Sequence, residues 1–198
     1  MKRREYETYD AYLAHQAAKA RKPSVRRRLA ARWSKDVRRF RGLFALAIEA
    51  VPVGSSVLCL GARYGAEVEA AIQLGYRAIG IDLVPCEPLV VAGDFHDIPP
   101  AAVAAVSPVK LVFCNADDHV YDLKKFADEV RRVLAPGGCF LAVLAIGNYG
   151  AYESLRLDSP DEFLTEFVDF EILHRTSNGR VYGGERVAIL MRKPEGRP

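Results

Sequence analysis

The chain has no run of about 20 consecutive apolar residues, so no helical membrane span is expected. Cysteine is scarce. Cys59, Cys86, Cys114 and Cys139 lie far apart, with neither the CxxC spacing of a zinc site nor the density of a disulfide framework. Cys59, Cys114 and Cys139 fall in strand-like runs, where an unpaired thiol behaves as a small hydrophobe, and all four are read as reduced core residues. Internal repeats and low-complexity segments are missing, and the basic N-terminus lacks the hydrophobic stretch of a secretion signal. Cytoplasmic residence is therefore expected. What is present, 198 residues of which 50% are apolar, suffices for one domain with a full core.

The net charge of +3 hides an asymmetry. Residues 1–41 carry 14 Lys/Arg against 4 Asp/Glu, while the remainder carries 14 against 21. The division suggests a basic N-terminal helical extension over 1–41, acting as lid or arm, ahead of a domain over 42–198. Such an arm could meet nucleic acid, a lipid surface or the protein's own acidic face, or simply be a solvated helical hairpin. Tyr6, Tyr9, Leu13, Ala17 and Ala20 recur at helical steps and predict a helix over 5–21. Lys22-Pro23-Ser24 breaks it, and Ser24 is a plausible cap for a second helix through Trp33, Val37 and Phe40. Tyr6, Tyr9, Tyr12 and Trp33 could line a pocket or staple these helices to the rest.

The chain is organised around residues 57–75. Four apolar residues, Val57 to Leu60, read as a strand buried on both faces. Gly61 and Gly65 bracket a tight turn, and a helical pattern then runs to Gly75. Strand, glycine turn and helix present bare backbone N–H groups to a ligand, although the full G-x-G-x-x-G spacing is lacking. A second apolar strand over 78–81 ends on Asp82, about twenty residues beyond the turn, where a carboxylate can hold the ribose of a nucleotide-like ligand.

Further strands are predicted over 89–92, 109–115 and 139–146, with helices over 99–106 and 123–134 between them. A flexible segment over 147–150 precedes a helix capped by Ser159 with Pro160 in its first turn. Strands over 170–176 and 186–193 are joined by a loop over 177–184, and 43–51 reads as a separate hydrophobic helix.

Leu58 to Asp82, Gly93-Asp94-Phe95-His96-Asp97-Ile98-Pro99 and Arg132-Val133-Leu134-Ala135-Pro136-Gly137-Gly138 together resemble the class I S-adenosylmethionine-dependent methyltransferases, over about residues 50 to 146. The resemblance implies an α/β, Rossmann-like fold: a mostly parallel seven-stranded sheet closed by an antiparallel hairpin, with added N-terminal helices. It also implies S-adenosylmethionine as cofactor. Asp82, with Leu83 beside it, would hold the ribose; Asp94 would hold the adenine amino group, and the backbone of Phe95 would face the ring edge. Gly61, Ala62, Arg63 and Gly65 would form the turn around the methionine, with Asn115 across the crevice. Two positions depart from the family pattern: Cys59 replaces a usual acid and Arg63 a usual glycine. Arg63 could pair with the methionine carboxylate or fill the cofactor space, and the persistence of Gly61, Gly65, Asp82 and Asp94 favours the first.

Methyl transfer needs alignment, exclusion of water and sometimes a base. His119 and Asp118, in the loop after the 109–115 strand, are the candidate base and its orienting acid. His96 and Asp97, together with Asp117, Asp118 and His119, lack metal-site spacing, so no metal is expected. The favoured reading is methyl transfer to a hydroxyl or amine of a small-molecule or saccharide acceptor. The alternatives are an RNA methyltransferase gripping its substrate with 1–41, and a catalytically inactive binding protein on the same fold.

Overall fold

The structure, a computed structural model, describes residues 1–85, 88–181 and 184–196. Its frame is a seven-stranded sheet in the order β4-β3-β2-β5-β6-β9-β8. These strands are β2 (Ser56–Leu60), β3 (Arg77–Asp82), β4 (Val90–Ala92), β5 (Val109–Cys114), β6 (Leu134–Ile146), β8 (Glu171–Val181) and β9 (Gly184–Arg192). Neighbours from β4 to β6 are parallel, whereas β9 runs antiparallel between β6 and β8. Strand order reverses between β2 and β5, and in an open sheet of this kind the crevice opens there, past the carboxyl ends. This is the Rossmann-like architecture expected from the sequence, with its closing hairpin and N-terminal helices.

β2 is the middle of the packing. All five of its residues are buried, and successive side chains enter opposite layers. Leu58 and Leu60 join Phe126 and Phe140 on one face; Val57 and Cys59 join Phe40, Phe44 and Phe113 on the other. The second layer is supplied by α2 (Pro23–Phe44) and α3 (Ala66–Gln73), the first by α5 (Leu123–Val133) and α6 (Pro160–Leu164). Val37, Phe40, Leu43 and Phe44 form an apolar stripe on the otherwise basic α2, and the Phe44 ring lies 4.8 Å from that of Phe113. The basic segment is thus anchored in the core.

Several local expectations are corrected. α1 begins at Tyr9, not at residue 5, because Thr8 caps it by accepting from the Ala11 N–H at 3.1 Å; it ends at Arg21. β1 (Lys2–Arg3) instead pairs antiparallel with β7 (Leu155–Arg156). Pro23 takes the first position of α2, where its missing N–H costs nothing, so Ser24 is no cap. α2 then runs on to Phe44 and a 3-10 turn over Ala45–Ala47, so 43–51 is no separate helix. α4 (Pro100–Ala105) opens after Pro99 as expected. β6 starts at Leu134 and carries the Pro-Gly-Gly turn within it, where the pairing with β5 slips register. Ser159 precedes Pro160 in an extended conformation, but its side chain makes no capping hydrogen bond. β8 and β9 extend through most of the expected loop; positions 182–183 lie outside the described residues, as does Cys86. Cys59, Cys114 and Cys139 are buried and unpaired. Among the described residues no helix is long and apolar enough to cross a membrane.

Candidate functional site

Two cavities adjoin at the carboxyl ends of the parallel strands. The first, ≈ 250 Å³, lies over β2, β3 and β5; the second, ≈ 580 Å³, lies over β5 and β6. Lys19, Arg28, Asn115, Asp118 and Arg186 belong to both walls.

The first wall is made by the turn after β2. Gly61 and Gly65 adopt φ of 73° and 69°, which other residues rarely take. A Cβ on Gly61 would meet the Ala116 Cβ at 2.7 Å, so glycine lets the turn close against the loop after β5. At the tip of β3, Asp82 is only 6% exposed yet lines this cavity. Its Oδ1 accepts from the Val84 N–H at 2.8 Å and its Oδ2 from the Arg63 N–H at 3.3 Å, fixing the carboxylate against the turn. The Arg63 side chain leans the same way, with Nε 3.6 Å from Asp82 Oδ1; that buried Nε has no hydrogen-bond partner. Ala62, Leu83, Phe95 and Asn115 complete this part of the wall, while Gly65 caps α3 just outside it.

Asp94 is placed differently. The Tyr9 hydroxyl donates to its Oδ2; Oδ1 accepts from the His96 N–H at 2.8 Å and from His96 Nδ1 at 3.0 Å. The carboxylate is absent from the cavity wall, although Gly93 and Phe95 on either side belong to it. Burial alone would raise its pKa, but the hydrogen bonds from His96 and Tyr9 outweigh that and hold it below the usual carboxylate range. His96 is fully buried, and its Nε2 accepts from the Tyr121 and Asp122 N–H groups at 3.1 and 3.2 Å. Rings of Tyr9, Tyr12 and Tyr121 pack around it.

His119 and Asp118 also reach the cavity. His119 Nδ1 lies 3.1 Å from the Tyr152 carbonyl, which can only accept, so Nδ1 carries the proton and Nε2 accepts from Lys19 Nζ at 2.8 Å. Burial, with the cations Lys19 and Arg63 nearby, lowers the His119 pKa and keeps the ring neutral. Lys19 is itself pushed down by burial. Asp118 accepts from Asn148 Nδ2 at 2.9 Å and sits 3.7 Å from His119 Nε2. Ligand atoms of Asp118, His119 and Glu153 come within 4.8 Å of one another, but the Lys19 ammonium already lies against His119 and 3.9 Å from Glu153. A cation therefore holds the place a metal would take. Of the aromatic candidates, Tyr12 and Trp33 line the cavity and Tyr6 and Tyr9 do not.

Sequence reasoning missed a whole face. Val25, Arg28, Leu29, Arg32 and Asp36 recur at three- and four-residue steps along α2 and, with the anticipated Trp33, form one side of the first cavity. That periodicity was readable; the mixture of charge and aromatic character concealed it. Glu67, in the first turn of α3, is buried in the same wall, and burial raises its pKa to about 8. Arg186 arrives from β9, paired with Ala145 of β6, and carried no local signal.

No protein-family model matches the sequence, and no curated protein does. Solved structures match the fold. The 1,6-didemethyltoxoflavin-N1-methyltransferase of Burkholderia thailandensis, solved with bound 1,6-didemethyltoxoflavin and S-adenosylhomocysteine, superposes with a TM-score of 0.66 at 17% identity, over 91% of this chain and 90% of its own. The N-methyltransferase NodS of Bradyrhizobium japonicum gives 0.62 at 18%, over 80% and 96%. The [4+2]-cyclase SpnF gives 0.60 at 15%, over 79% and 82%. The chain has the class I methyltransferase fold, and the cyclase shows that proteins of this shape are not confined to one activity.

Proposed function

We propose that the chain is an S-adenosylmethionine-dependent methyltransferase acting on a hydroxyl or amine of a small-molecule acceptor. One observation carries the reading: at the crossover, Asp82 is held by two backbone N–H groups on a cavity wall beside an orphaned arginine donor. A carboxylate fixed in this way suits paired ribose hydroxyls, and a buried guanidinium Nε without a partner suits a ligand carboxylate. The bound cofactor would supply a methyl group on a sulfonium, open to in-line displacement. Ala62, Leu83 and Phe95 give the adenosyl part an apolar bed, with Asn115 facing it from β5.

The acceptor belongs in the second cavity, where Asp118 reaches both chambers. Asp118 is placed to take a hydrogen bond from the acceptor's N–H or O–H. A released proton would be taken up by His119, which burial keeps neutral and whose Nε2 faces Lys19 Nζ at 2.8 Å. Residues 1–41 then act as a lid over the 42–198 domain, since α1 and α2 supply the outer wall of both cavities. One observation favours the non-catalytic alternative, a binding protein: Asp94, which the resemblance assigns to the adenine amino group, is already occupied by Tyr9 and His96.

Calorimetric titration with S-adenosylhomocysteine tests the reading, followed by incubation with methyl-labelled cofactor and candidate acceptors. Micromolar binding and label transfer are expected. Binding without transfer to any acceptor would favour the binding protein, and no binding at all would overturn both.

A further inference from the structure

The cavity is far more cationic than a methyl donor requires. Lys19, Arg28, Arg32, Arg39, Arg63 and Arg186 line the first chamber against four acids, Asp36, Glu67, Asp82 and Asp118. The cofactor, with a sulfonium, an ammonium and one carboxylate, would add net positive charge. Some of these cations are already matched: Arg32 and Arg39 lie 3.5 and 3.8 Å from Asp36, and Arg63 lies 3.6 Å from Asp82. Arg28 and Arg186 are not. Among the described residues their side chains make no hydrogen bond and no ion pair, and both stand on the wall shared by the two chambers. Arg39 also keeps its Nε and Nη1 buried without a hydrogen-bond partner. Burial and repulsion from Arg186 lower the Arg39 pKa and Asp36 only partly offsets them, so Arg39 and Arg186 stand close enough to repel. Like charges gathered at a cavity and left unrelieved are an anion site.

We propose that the methyl acceptor is an anionic small molecule whose carboxylate or phosphate is gripped by Arg28 and Arg186 at the junction of the two chambers, with Arg39 behind them. This rests on the methyltransferase reading for the word acceptor, but the anion site itself does not. Guanidinium forks from two elements, one on α2 and one on β9, would fix the anion on the wall that Asp118 also shares. Tyr149 in the second chamber, 40% exposed, gives a ring or chain something apolar to lie on.

The test titrates inorganic phosphate and, separately, benzoate into the full-length chain with and without S-adenosylhomocysteine. The R28Q/R186Q double variant and the R28Q single variant, whose helix face is exposed, are run beside it, with circular dichroism to check folding. The expected result is saturable binding of one probe, weakened at least tenfold in the double variant and in part in R28Q, with S-adenosylhomocysteine affinity changed less than twofold. Which probe binds tells a phosphate from a carboxylate. Unchanged anion affinity in the variants, or no binding of either probe, would overturn the assignment. RNA binding lost in the double variant while both probes fail would overturn it in favour of a nucleic-acid substrate. Failure of S-adenosylhomocysteine to bind while an anion does would remove the methyltransferase reading and leave the anion site standing.

Discussion

Two aspartates end neighbouring strands on the same side of the same sheet, and the protein uses them in opposite ways. Asp82, at the tip of β3, accepts hydrogen bonds only from the Arg63 and Val84 backbone N–H groups, with the Arg63 guanidinium 3.6 Å away, and still lines the cavity. Asp94, just past β4, is closed off by a tyrosine from α1 and a histidine two residues on. Strand tips fix where a carboxylate stands. Whether it remains available depends on what the distant N-terminus brings to it. The contrast separates a ligand acid from a structural one, and substitutions can set them apart.

The largest difference is expected from replacing each acid by alanine. Asp82→Ala should weaken S-adenosylhomocysteine by at least about 100-fold, or about 3 kcal/mol, because a buried ribose would lose its acceptor. Its fold should hold, as the N–H groups freed lie in turns beside the cavity. Asp94→Ala should show the reverse: a clear loss in urea unfolding, since buried His96 and the Tyr9 hydroxyl lose their acceptor, with affinity altered far less. Calorimetry and urea titration on both variants decide the matter; equal losses of affinity would erase the distinction.

The comparison also marks what the sequence could say. Val57 to Leu60, all apolar, revealed a strand buried on both faces, and the Gly61–Gly65 turn with Asp82 at its proper remove located the crossover. These are local patterns, and local patterns survive folding. The pairing of Tyr9 with Asp94 spans 85 residues, and that of Lys19 with His119 spans 100; neither leaves a trace in spacing. The cavity-facing stripe on α2 falls between: its period was legible, but the basic character of 1–41 pointed to solvent or nucleic acid. Partners across long separations decide side-chain roles, so the fold was clearer than the chemistry.

A third acid sharpens the contrast. Glu67 is buried in the same wall as Asp82, but burial outweighs the help of its own N–H, and its pKa rises to about 8. A raised folded pKa means that the folded chain keeps a proton which the unfolded chain releases above its ordinary value of 4.5. Stability should therefore fall as pH rises from about 5 toward 8 and level off above that, by about 3 kcal/mol across pH 6–9. Glu67→Gln cannot ionise and should lose that slope. Urea midpoints of both proteins across the range give the readout; parallel curves would mean that Glu67 is already charged in the fold.

The smallest effect, and the most discriminating, belongs to Tyr9→Phe. This change removes the hydroxyl from Asp94 and keeps the ring among Tyr12, His96 and Tyr121. The His96 N–H and Nδ1–H still hold Oδ1, so the cost at pH 7 should be about 1 kcal/mol. Because Asp94 is held below its ordinary pKa, its stabilising share is present at neutral pH and is lost as pH falls through the folded value. Without Tyr9's hydroxyl that folded value rises, and the acid limb of the stability curve should begin at a higher pH. If Asp94 serves only the fold, S-adenosylhomocysteine affinity should shift by less than about threefold, or 0.7 kcal/mol. A tenfold gain would mean instead that Tyr9 withholds the acid from the adenine amino group. The two aspartates would then be partners in one site, with α1 as the latch between them.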